Sequence, residues 1–244
     1  MLTAQDIAQS KNNRKISMIT AYDANFARMA QAAEIDMLLV GDSAANVLLG
    51  LESTRDVGMA EMLILTAAVS RGAPDTHIVA DMPWESEQNP EMALSNAQKF
   101  LQAGAHSVKL EGFKPEIISH LLQNDVPVVA HLGLLPQSAE KFTQQGQSPE
   151  EAERIKQEAQ ALSKLGVFAM VLEHIPSDLG AEIARHVKSV VIGIGAGDQV
   201  DGQVLVIHDA LGLHPFKVPP FAQKFADLYA AGVEGLRKYK ASVG

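Results

Sequence analysis

Four apolar segments of this sequence end in the same way, at an acidic residue. Each segment is short and apolar, which predicts a buried β-strand. An apolar strand that stops at a carboxylate is unusual once, and here it occurs four times. The repetition indicates that the four strands end at a shared place, with the segments at Leu38–Asp42, Ile78–Asp81, Val108–Glu111 and Ala169–Glu173.

Predicted strands and helices alternate along the chain, which is the pattern of a parallel sheet. The strands are continuous apolar runs, as expected when both faces of the sheet are buried. A chain of 244 residues suits one α/β barrel. We therefore predict that residues 1–244 form a single (β/α)8 TIM barrel domain, with strands at Ile16–Thr20, Met37–Val40, Ile78–Ala80, Ser107–Leu110, Val126–Ala130, Phe168–Leu172, Ser189–Ile192 and Val204–Ile207.

Composition narrows the chemistry and the partners. A net charge of −9 without a basic cluster argues against nucleic acid and against an anionic membrane as partners. No apolar run is long enough for a membrane span and the start does not resemble a signal peptide, which favours a cytoplasmic protein. The absence of cysteine excludes thiol nucleophiles and thiolate metal sites. A bound metal would therefore need oxygen or nitrogen ligands.

The strand ends are the predicted functional site. In a parallel barrel they meet on one face, where barrel enzymes place their chemistry. Carboxylates confined together repel one another unless some are protonated or bind a cation. Oxygen ligands suit a hard ion such as Mg2+, so we predict a magnesium site, although an acid such as Asp42 could instead cap a loop. The side chains expected to converge are Asp42, Asp81, Lys109, Glu111, His131 and Glu173.

Three of these residues have more than one interpretation. Lys109 and Glu111 share one face of their strand, so Lys109 either binds an anion beside a metal or pairs with a neighbouring acid. His131 either donates to a substrate oxygen or bonds to the backbone. Glu173 lies on a different strand, which suits a general base, and the alternatives are a further metal ligand or an ion pair within the barrel.

Three other segments carry weaker signals. Residues 44–58 form a predicted loop of the length that often covers a site. Gly193–Gly197 has the spacing G-x-G-x-G, which lacks the dinucleotide fingerprint and favours a tight turn above the barrel. Phe221–Tyr239 is predicted to be the terminal helix.

Eight short motifs occur in order over nearly the whole chain: Ile19–Asp23, Leu39–Ser43, Val108–Gly112, His131–Leu134, Pro136–Ser138, Val171–Glu173, Ile192–Gly197 and Asp201–Gln203. Together they resemble the ketopantoate hydroxymethyltransferase (3-methyl-2-oxobutanoate hydroxymethyltransferase) family. The resemblance implies a barrel of the phosphoenolpyruvate/pyruvate superfamily that makes 2-dehydropantoate for pantothenate. It also implies 5,10-methylenetetrahydrofolate as co-substrate and a homo-oligomer, typically a decamer.

The resemblance also implies roles for individual residues. Asp42, Asp81 and Glu111 match the family's magnesium site. The contacts to the oxo acid match Asp42, Ser43, Asp81 and Lys109, and Glu173 matches the proton acceptor. The implied chemistry is consistent, since a magnesium-bound 2-oxo acid is easier to enolise and the enolate can attack a one-carbon unit.

Departures from the family's pattern leave rival interpretations open. They occur at Leu65, at Leu135 and in a shortened loop at Glu140–Gly146, and they concern folate contacts, loop closure and subunit packing rather than enolisation. One rival is another magnesium-dependent 2-oxo-acid lyase or hydrolase on the same barrel, which would need no folate. The other is a non-catalytic binding protein that has kept the barrel.

Overall fold

The chain folds as a closed barrel of eight parallel strands, as predicted. A computed structural model describes residues 1–139 and 141–244. Each strand pairs with the next, and β1 pairs with β8, where Ile16 lies opposite Gly202, to close the barrel. The strands are β1 Ile16–Thr20, β2 Met37–Val40, β3 His77–Asp81, β4 Ser107–Glu111, β5 Val128–Gly133, β6 Ala169–Glu173, β7 Val190–Ile194 and β8 Gly202–Leu205.

Helices follow the strands, except that β7 leads directly to β8, and they form the outer layer. None of the helices described is long and apolar enough to cross a membrane. A 3-10 helix at Thr54–Asp56 accompanies the α-helices, which are α1 Ala4–Gln9, α2 Ala24–Ala32, α3 Ala44–Val47, α4 Met59–Gly72, α5 Pro90–Gln102, α6 Pro115–Gln123, α7 Pro149–Leu165, α8 Ser177–His186, α9 Ile207–Ala210 and α10 Leu228–Val243.

Local sequence signals account for several helix ends. Asp23 accepts hydrogen bonds from two backbone N–H groups at the start of α2, and Asn89 caps α5 just before Pro90. Ser148 caps α7 by accepting a hydrogen bond from the N–H of Glu151, and the first residue of this helix is also a proline. These side chains satisfy N–H groups that have no partner within the helix. At the other end of α7, Gly166 adopts a left-handed conformation with φ 108°, which ends the helix without a steric cost.

Alternate residues of the strands form two cores. Leu38 and Val40 of β2 belong to the cluster between the sheet and the helices. Met37 and Leu39 of the same strand point the other way and pack inside the barrel, for instance with Val129 of β5. Both faces of the strand are buried, so its sequence is continuously apolar. This packing places the carboxyl ends of all strands on one face.

Several predicted boundaries were wrong. Strand β5 begins at Val128 rather than Val126, because the N–H of Val126 bonds to Leu121 at the end of α6 and Pro127 has no N–H to donate. The predicted last strand ends at Leu205, since the N–H of Ile207 donates to the Thr20 hydroxyl and α9 begins there.

Two longer segments also differ from prediction. Residues 44–58 are not simply a loop, because α3 and the 3-10 helix lie within them and Ser53 caps the latter. The terminal helix runs over Leu228–Val243 rather than Phe221–Tyr239, since the Asp227 side chain caps it at Ala230. The shortened loop at Glu140–Gly146 includes Glu140, which lies outside the described residues.

Candidate active site

The predicted residues lie together at the carboxyl end of the barrel. Strand register places Asp81 opposite Lys109 and Glu111 opposite His131. All four side chains are buried, as is that of Asp42 just after β2. They line the floor of a cavity of about 640 Å3, a size typical of small-molecule sites. Glu173, at the end of β6, also lines the cavity, and 17% of its side chain is exposed.

Lys109 is the cation of this floor. Its Nζ lies 2.7 Å from Oδ1 of Asp81 and 3.3 Å from Nδ1 of His131. Burial would lower the pKa of Lys109, but the carboxylates of Asp81, Glu111 and Asp42 outweigh it and raise the pKa. The ammonium therefore stays charged. The structure shows the ion pair with a neighbouring acid, and binding of an anion by the same ammonium stays a prediction.

The pKa values of the carboxyl groups in the floor are shifted in different directions. Burial, followed by repulsion from Asp81, raises the pKa of Asp42 to about 8. Burial also raises the pKa of Asp81, and this effect outweighs the attraction of Lys109. For Glu111 burial acts in the same direction, but contacts with His131 and Lys109 outweigh it and lower the pKa. The floor therefore holds more acid groups than its cations neutralise, so it favours a further positive charge.

His131 lies between two carboxylates. Its Nδ1 is 3.5 Å from Oε1 of Glu111, and its Nε2 is 3.3 Å from Oε2 of Glu173. Burial and Lys109 would lower the pKa of the ring, but hydrogen bonding to Glu111 and Glu173 outweighs them and raises the pKa to about 9. A protonated ring is a donor at both nitrogens. It can therefore hold both acids in place, and donation from this ring to a substrate oxygen stays a prediction.

Gln137 is a site residue that the sequence-based reasoning did not select. Its side-chain nitrogen donates to Oδ2 of Asp42 at 2.8 Å and to the carbonyl of Met82 at 3.0 Å. Its backbone N–H donates to Oε2 of Glu111 at 3.1 Å. The only signal was its place in the Pro136–Ser138 motif, because nothing in strand periodicity brings a loop glutamine to the floor.

Gln137 is itself held by a residue of the segment 44–58. The guanidinium of Arg55, the middle residue of the 3-10 helix, donates to the Gln137 carbonyl oxygen. The same guanidinium lies 4.7 Å above the ring of Trp84, a cation–π contact. The segment therefore packs on the loop after β5, consistent with its predicted role as a cover.

Ser43 lies beside the floor at the start of α3. Its hydroxyl is 2.8 Å from the hydroxyl of Tyr22, and its side chain lines the cavity. The backbone N–H of the preceding residue, Asp42, donates to Oδ2 of Asp81 at 3.3 Å. The turn after β2 therefore presents the Ser43 hydroxyl toward the cavity and holds the Asp81 carboxylate in position.

A divalent ion fits the chemistry of this floor. Within residues 1–139 and 141–244 no three His, Asp or Glu side chains are arranged so that they could hold a metal ion as they stand. The donors predicted for magnesium, Asp42, Asp81 and Glu111, are held by Gln137 and Lys109 instead. Oδ1 of Asp81 is buried and accepts no hydrogen bond in the described chain apart from its ion pair. Buried carboxyl oxygens match the ligands that Mg2+ prefers, and a bound cation would favour the charged forms of Asp42 and Asp81, whose pKa values burial raises.

Structural relatives share the barrel. Phosphoenolpyruvate phosphomutase from Streptomyces platensis subsp. rosaceus superposes with a TM-score of 0.66 at 14% identity, over 99% of this chain and 87% of that one. Phosphonopyruvate hydrolase, crystallised with oxalate and Mg2+, has a TM-score of 0.67 at 12% identity, over 99% and 87%. A 2,3-dimethylmalate lyase of the PEP mutase/isocitrate lyase superfamily gives 0.61 at 15% identity and covers both chains fully. These likenesses show the fold.

Sequence relatives show the family. The model of ketopantoate hydroxymethyltransferase matches residues 1–244. The 3-methyl-2-oxobutanoate hydroxymethyltransferase of Thermotoga maritima is 44% identical over 99% of this chain and 92% of its own length. That of Syntrophobacter fumaroxidans is 46% identical over 99% and 88%. The chain therefore belongs to the ketopantoate hydroxymethyltransferase family and is an enzyme of that family.

Proposed function

We propose that this enzyme transfers a hydroxymethyl group from 5,10-methylenetetrahydrofolate to 3-methyl-2-oxobutanoate, giving 2-dehydropantoate for pantothenate synthesis. The family match supports the transferase class. The single observation that carries the chemistry is the buried floor, where three carboxyl groups surround one ammonium beside a partly exposed Glu173. With a divalent cation bound to its acids, such a floor would suit a small anionic substrate held next to a base.

Glu173 is proposed as the base that removes the C3 proton of the oxo acid. Its Oε2 faces the ring of His131 at 3.3 Å. The carboxylate is thereby oriented, while its other oxygen is left for the proton. Glu173 is the only acid of the six predicted residues that is not fully buried. It can therefore meet a substrate that enters from the cavity.

Lys109 and Ser43 are proposed to orient the oxo acid. An ammonium and a hydroxyl are donors, and both line the cavity at its floor. Lys109 would bind the substrate's anionic oxygens and lower the energy of the enolate through its charge. The protonated ring of His131, with Nε2 at 3.3 Å from Oε2 of Glu173, would attract that carboxylate and keep it in place. It is thus proposed to act on the substrate site through Glu173.

Asp42, Asp81 and Glu111 are proposed to hold Mg2+. When bound, the ion would polarise the substrate's ketone and offset the negative charge that develops on it. The phosphonopyruvate hydrolase that shares this barrel was crystallised with oxalate, a small dicarboxylate, and Mg2+, which supports a small acid and a metal as ligands of this fold.

Turnover assays test the proposal. The enzyme should form 2-dehydropantoate from 3-methyl-2-oxobutanoate only when both Mg2+ and 5,10-methylenetetrahydrofolate are supplied. Solvent exchange of the C3 proton should need Mg2+ but not the folate. Turnover of a 2-oxo acid in the absence of folate, with no 2-dehydropantoate formed in its presence, would instead identify a lyase or hydrolase on the same barrel.

The enzyme is further proposed to act in the cytoplasm as a homo-oligomer, with the decamer of the family as the specific expectation. The supporting observation is α10, none of whose residues is buried in the single chain. Leu236, Tyr239 and Val243 on this helix are each about 70% exposed, and exposed apolar residues grouped on one element mark interaction surfaces. Light scattering after gel filtration gives the mass, and a monomer at micromolar concentration would contradict the expectation.

A further inference from the structure

Arg55 is a charged side chain that the proposed chemistry does not use, and it joins three parts of the site. It lies in the 3-10 helix of the segment 44–58, which we call the cover. Its Nε donates to the backbone carbonyl of Gln137, in the loop after β5. Its guanidinium also lies 4.7 Å above the ring of Trp84, in the loop after β3. One side chain therefore connects the cover to two loops at the carboxyl end of the barrel.

The backbone that carries Arg55 is anchored on both sides. The Ser53 hydroxyl accepts from the N–H of Arg55 at 3.2 Å, and Oδ2 of Asp56 accepts from the N–H of Ser53 at 3.1 Å. Val57 is buried in the core between the sheet and the helices. Thr54 is buried as well, and it lines the cavity. The guanidinium therefore extends from a fixed part of the cavity wall rather than from a free loop.

Gln137 transmits the contact with Arg55 to the acids of the floor. Its backbone carbonyl accepts from the guanidinium, so its side-chain amide and its own N–H remain available to the floor. The amide donates to Oδ2 of Asp42, and the N–H donates to Oε2 of Glu111. Gln137 thus contacts one oxygen of each acid, and the second oxygen can turn toward a cation. A shift of the Gln137 backbone would displace the donors of both acids at once.

The contact with Trp84 links Arg55 to the loop that carries the third acid. Trp84 follows Asp81 by three residues, and the carbonyl of Met82 between them accepts from the Gln137 amide at 3.0 Å. A guanidinium has a flat face that packs on an aromatic ring and an edge of N–H donors that suits a carbonyl oxygen. Arg55 uses both features in one arrangement, so the loops after β3 and β5 are held together at this side chain.

We propose that Arg55 is a positioning residue that acts on the floor through Gln137. By fixing the loop after β5 against the cover, it limits how far Asp42 and Glu111 move when they bind Mg2+. This inference rests on the proposed function, since that function assigns Mg2+ to these acids. Groups that orient metal ligands from outside the coordination sphere raise the metal affinity. Such coupling is reciprocal, so Mg2+ binding should also strengthen the contacts of Arg55 with Gln137 and Trp84.

The single tryptophan of the chain makes these contacts measurable in the full-length enzyme. Trp84 is 38% exposed, and the tryptophan emission comes from this ring alone. Arg55→Met removes the charge and the donors but keeps an unbranched side chain. Acrylamide should quench Trp84 more strongly in this variant, because one face of the ring loses the guanidinium. Added Mg2+ should reduce the quenching in the unmodified enzyme and leave it unchanged in Arg55→Met.

Calorimetric titration with Mg2+ in the absence of substrates measures the positioning itself. Arg55→Met should weaken the affinity by about fivefold, the factor that corresponds to one hydrogen bond of ordinary strength. The matched control is Arg28→Met, at an exposed arginine of α2 that donates to Asn25 of the same helix. This control should bind Mg2+ like the unmodified enzyme. In a Gln137→Leu background, Arg55→Met should reduce the affinity by a smaller factor than it does alone, since the route to Asp42 is already broken.

The outcomes separate this inference from the proposed function. Failure of the unmodified enzyme to bind Mg2+ would reject the proposed metal site, and this inference with it. Where the unmodified enzyme binds Mg2+, equal or tighter binding by Arg55→Met would overturn the positioning role alone. Quenching of Trp84 that Mg2+ leaves unchanged in the unmodified enzyme, or additive losses in the double variant, would overturn it too, since a merely stabilising contact acts independently of Gln137. If thermal unfolding shows that Arg55→Met does not fold, Arg55→Gln decides by the same measurements.

Discussion

The side chain of Gln137 donates a hydrogen bond of 2.8 Å to Asp42, a residue 95 positions earlier in the chain. Its backbone N–H donates to Glu111 at the same time. One loop residue therefore holds two of the three carboxyl groups that are proposed to bind Mg2+. The bond to Asp42 also favours the charged form of a carboxyl group whose pKa burial raises to about 8.

Replacement of Gln137 by Leu should destabilise the floor and weaken its affinity for Mg2+. The change leaves Asp42 buried without its amide partner, and an unsatisfied buried group costs about 1–3 kcal/mol. Urea unfolding should show that loss, and calorimetric titration with Mg2+ should show weaker binding. The control is Gln123→Leu on the exposed surface of α6, where the side-chain amide donates to the Ser119 hydroxyl of the same helix. Equal Mg2+ affinity in the two variants would contradict a positioning role for Gln137.

Glu173→Gln should abolish proton removal while leaving the fold intact. The amide has the same shape but cannot accept the C3 proton. General-base catalysis contributes about 10²–10⁴-fold, so exchange of the substrate C3 proton with deuterated solvent should slow by that factor in an NMR assay. Glu116→Gln, at an exposed acid in the first turn of α6, serves as control. Exchange at the unmodified rate in Glu173→Gln would show that another group is the base.

Lys109→Met should both destabilise the enzyme and inactivate it. The substitution removes the ammonium that lies 2.7 Å from Oδ1 of Asp81 and leaves this acid buried without a cation partner. Breaking a buried ion pair in this way costs about 3–5 kcal/mol. The double variant Lys109→Met, Asp81→Asn should recover much of the unfolding free energy but none of the activity. A double-mutant cycle measured by urea unfolding checks the coupling. Independent, additive losses would show that the ion pair does not stabilise the barrel.

His77, which lies at the end of the barrel opposite the site, should make the fold sensitive to acid. Burial lowers the pKa of His77 to about 4, and its ring nitrogens lie 3.1 Å from the Leu2 carbonyl and 3.0 Å from the Ser107 hydroxyl. In the unfolded chain, His77 binds a proton below its usual pKa of about 6.5. The folded state disfavours the protonated ring. The contribution of His77 to the free energy of unfolding is therefore fully present above about pH 6.5. It falls as the pH drops toward 4, by roughly 3 kcal/mol over the whole range.

A variant isolates the contribution of His77 to this pH dependence. His77→Gln should be less stable at neutral pH, yet its unfolding free energy should fall less steeply between about pH 6.5 and 4, as followed by urea unfolding at a series of pH values. The neighbouring His106, whose ring lies 5.4 Å away and whose pKa burial also lowers, accounts for part of the remaining slope. A slope equal to that of the unmodified enzyme would show that His77 does not titrate as described.

The sequence by itself determined the barrel and the ionisable residues of its floor. Apolar runs, capping residues such as Asp23 and the acids at strand ends are local signals, and parallel strands must deliver their ends to one face. That is why Asp81 and Glu111 could be placed together before any contact was known.

Tertiary structure alone decided how those groups pair. It brought Gln137 to Asp42 and placed the ring of His131 between Glu111 and Glu173. It also formed helices within residues 44–58 and moved the start of the last helix to Leu228. The physical reason is that strand and helix periodicity depend on neighbouring residues, whereas the partner of a buried polar group depends on which distant segment packs against it.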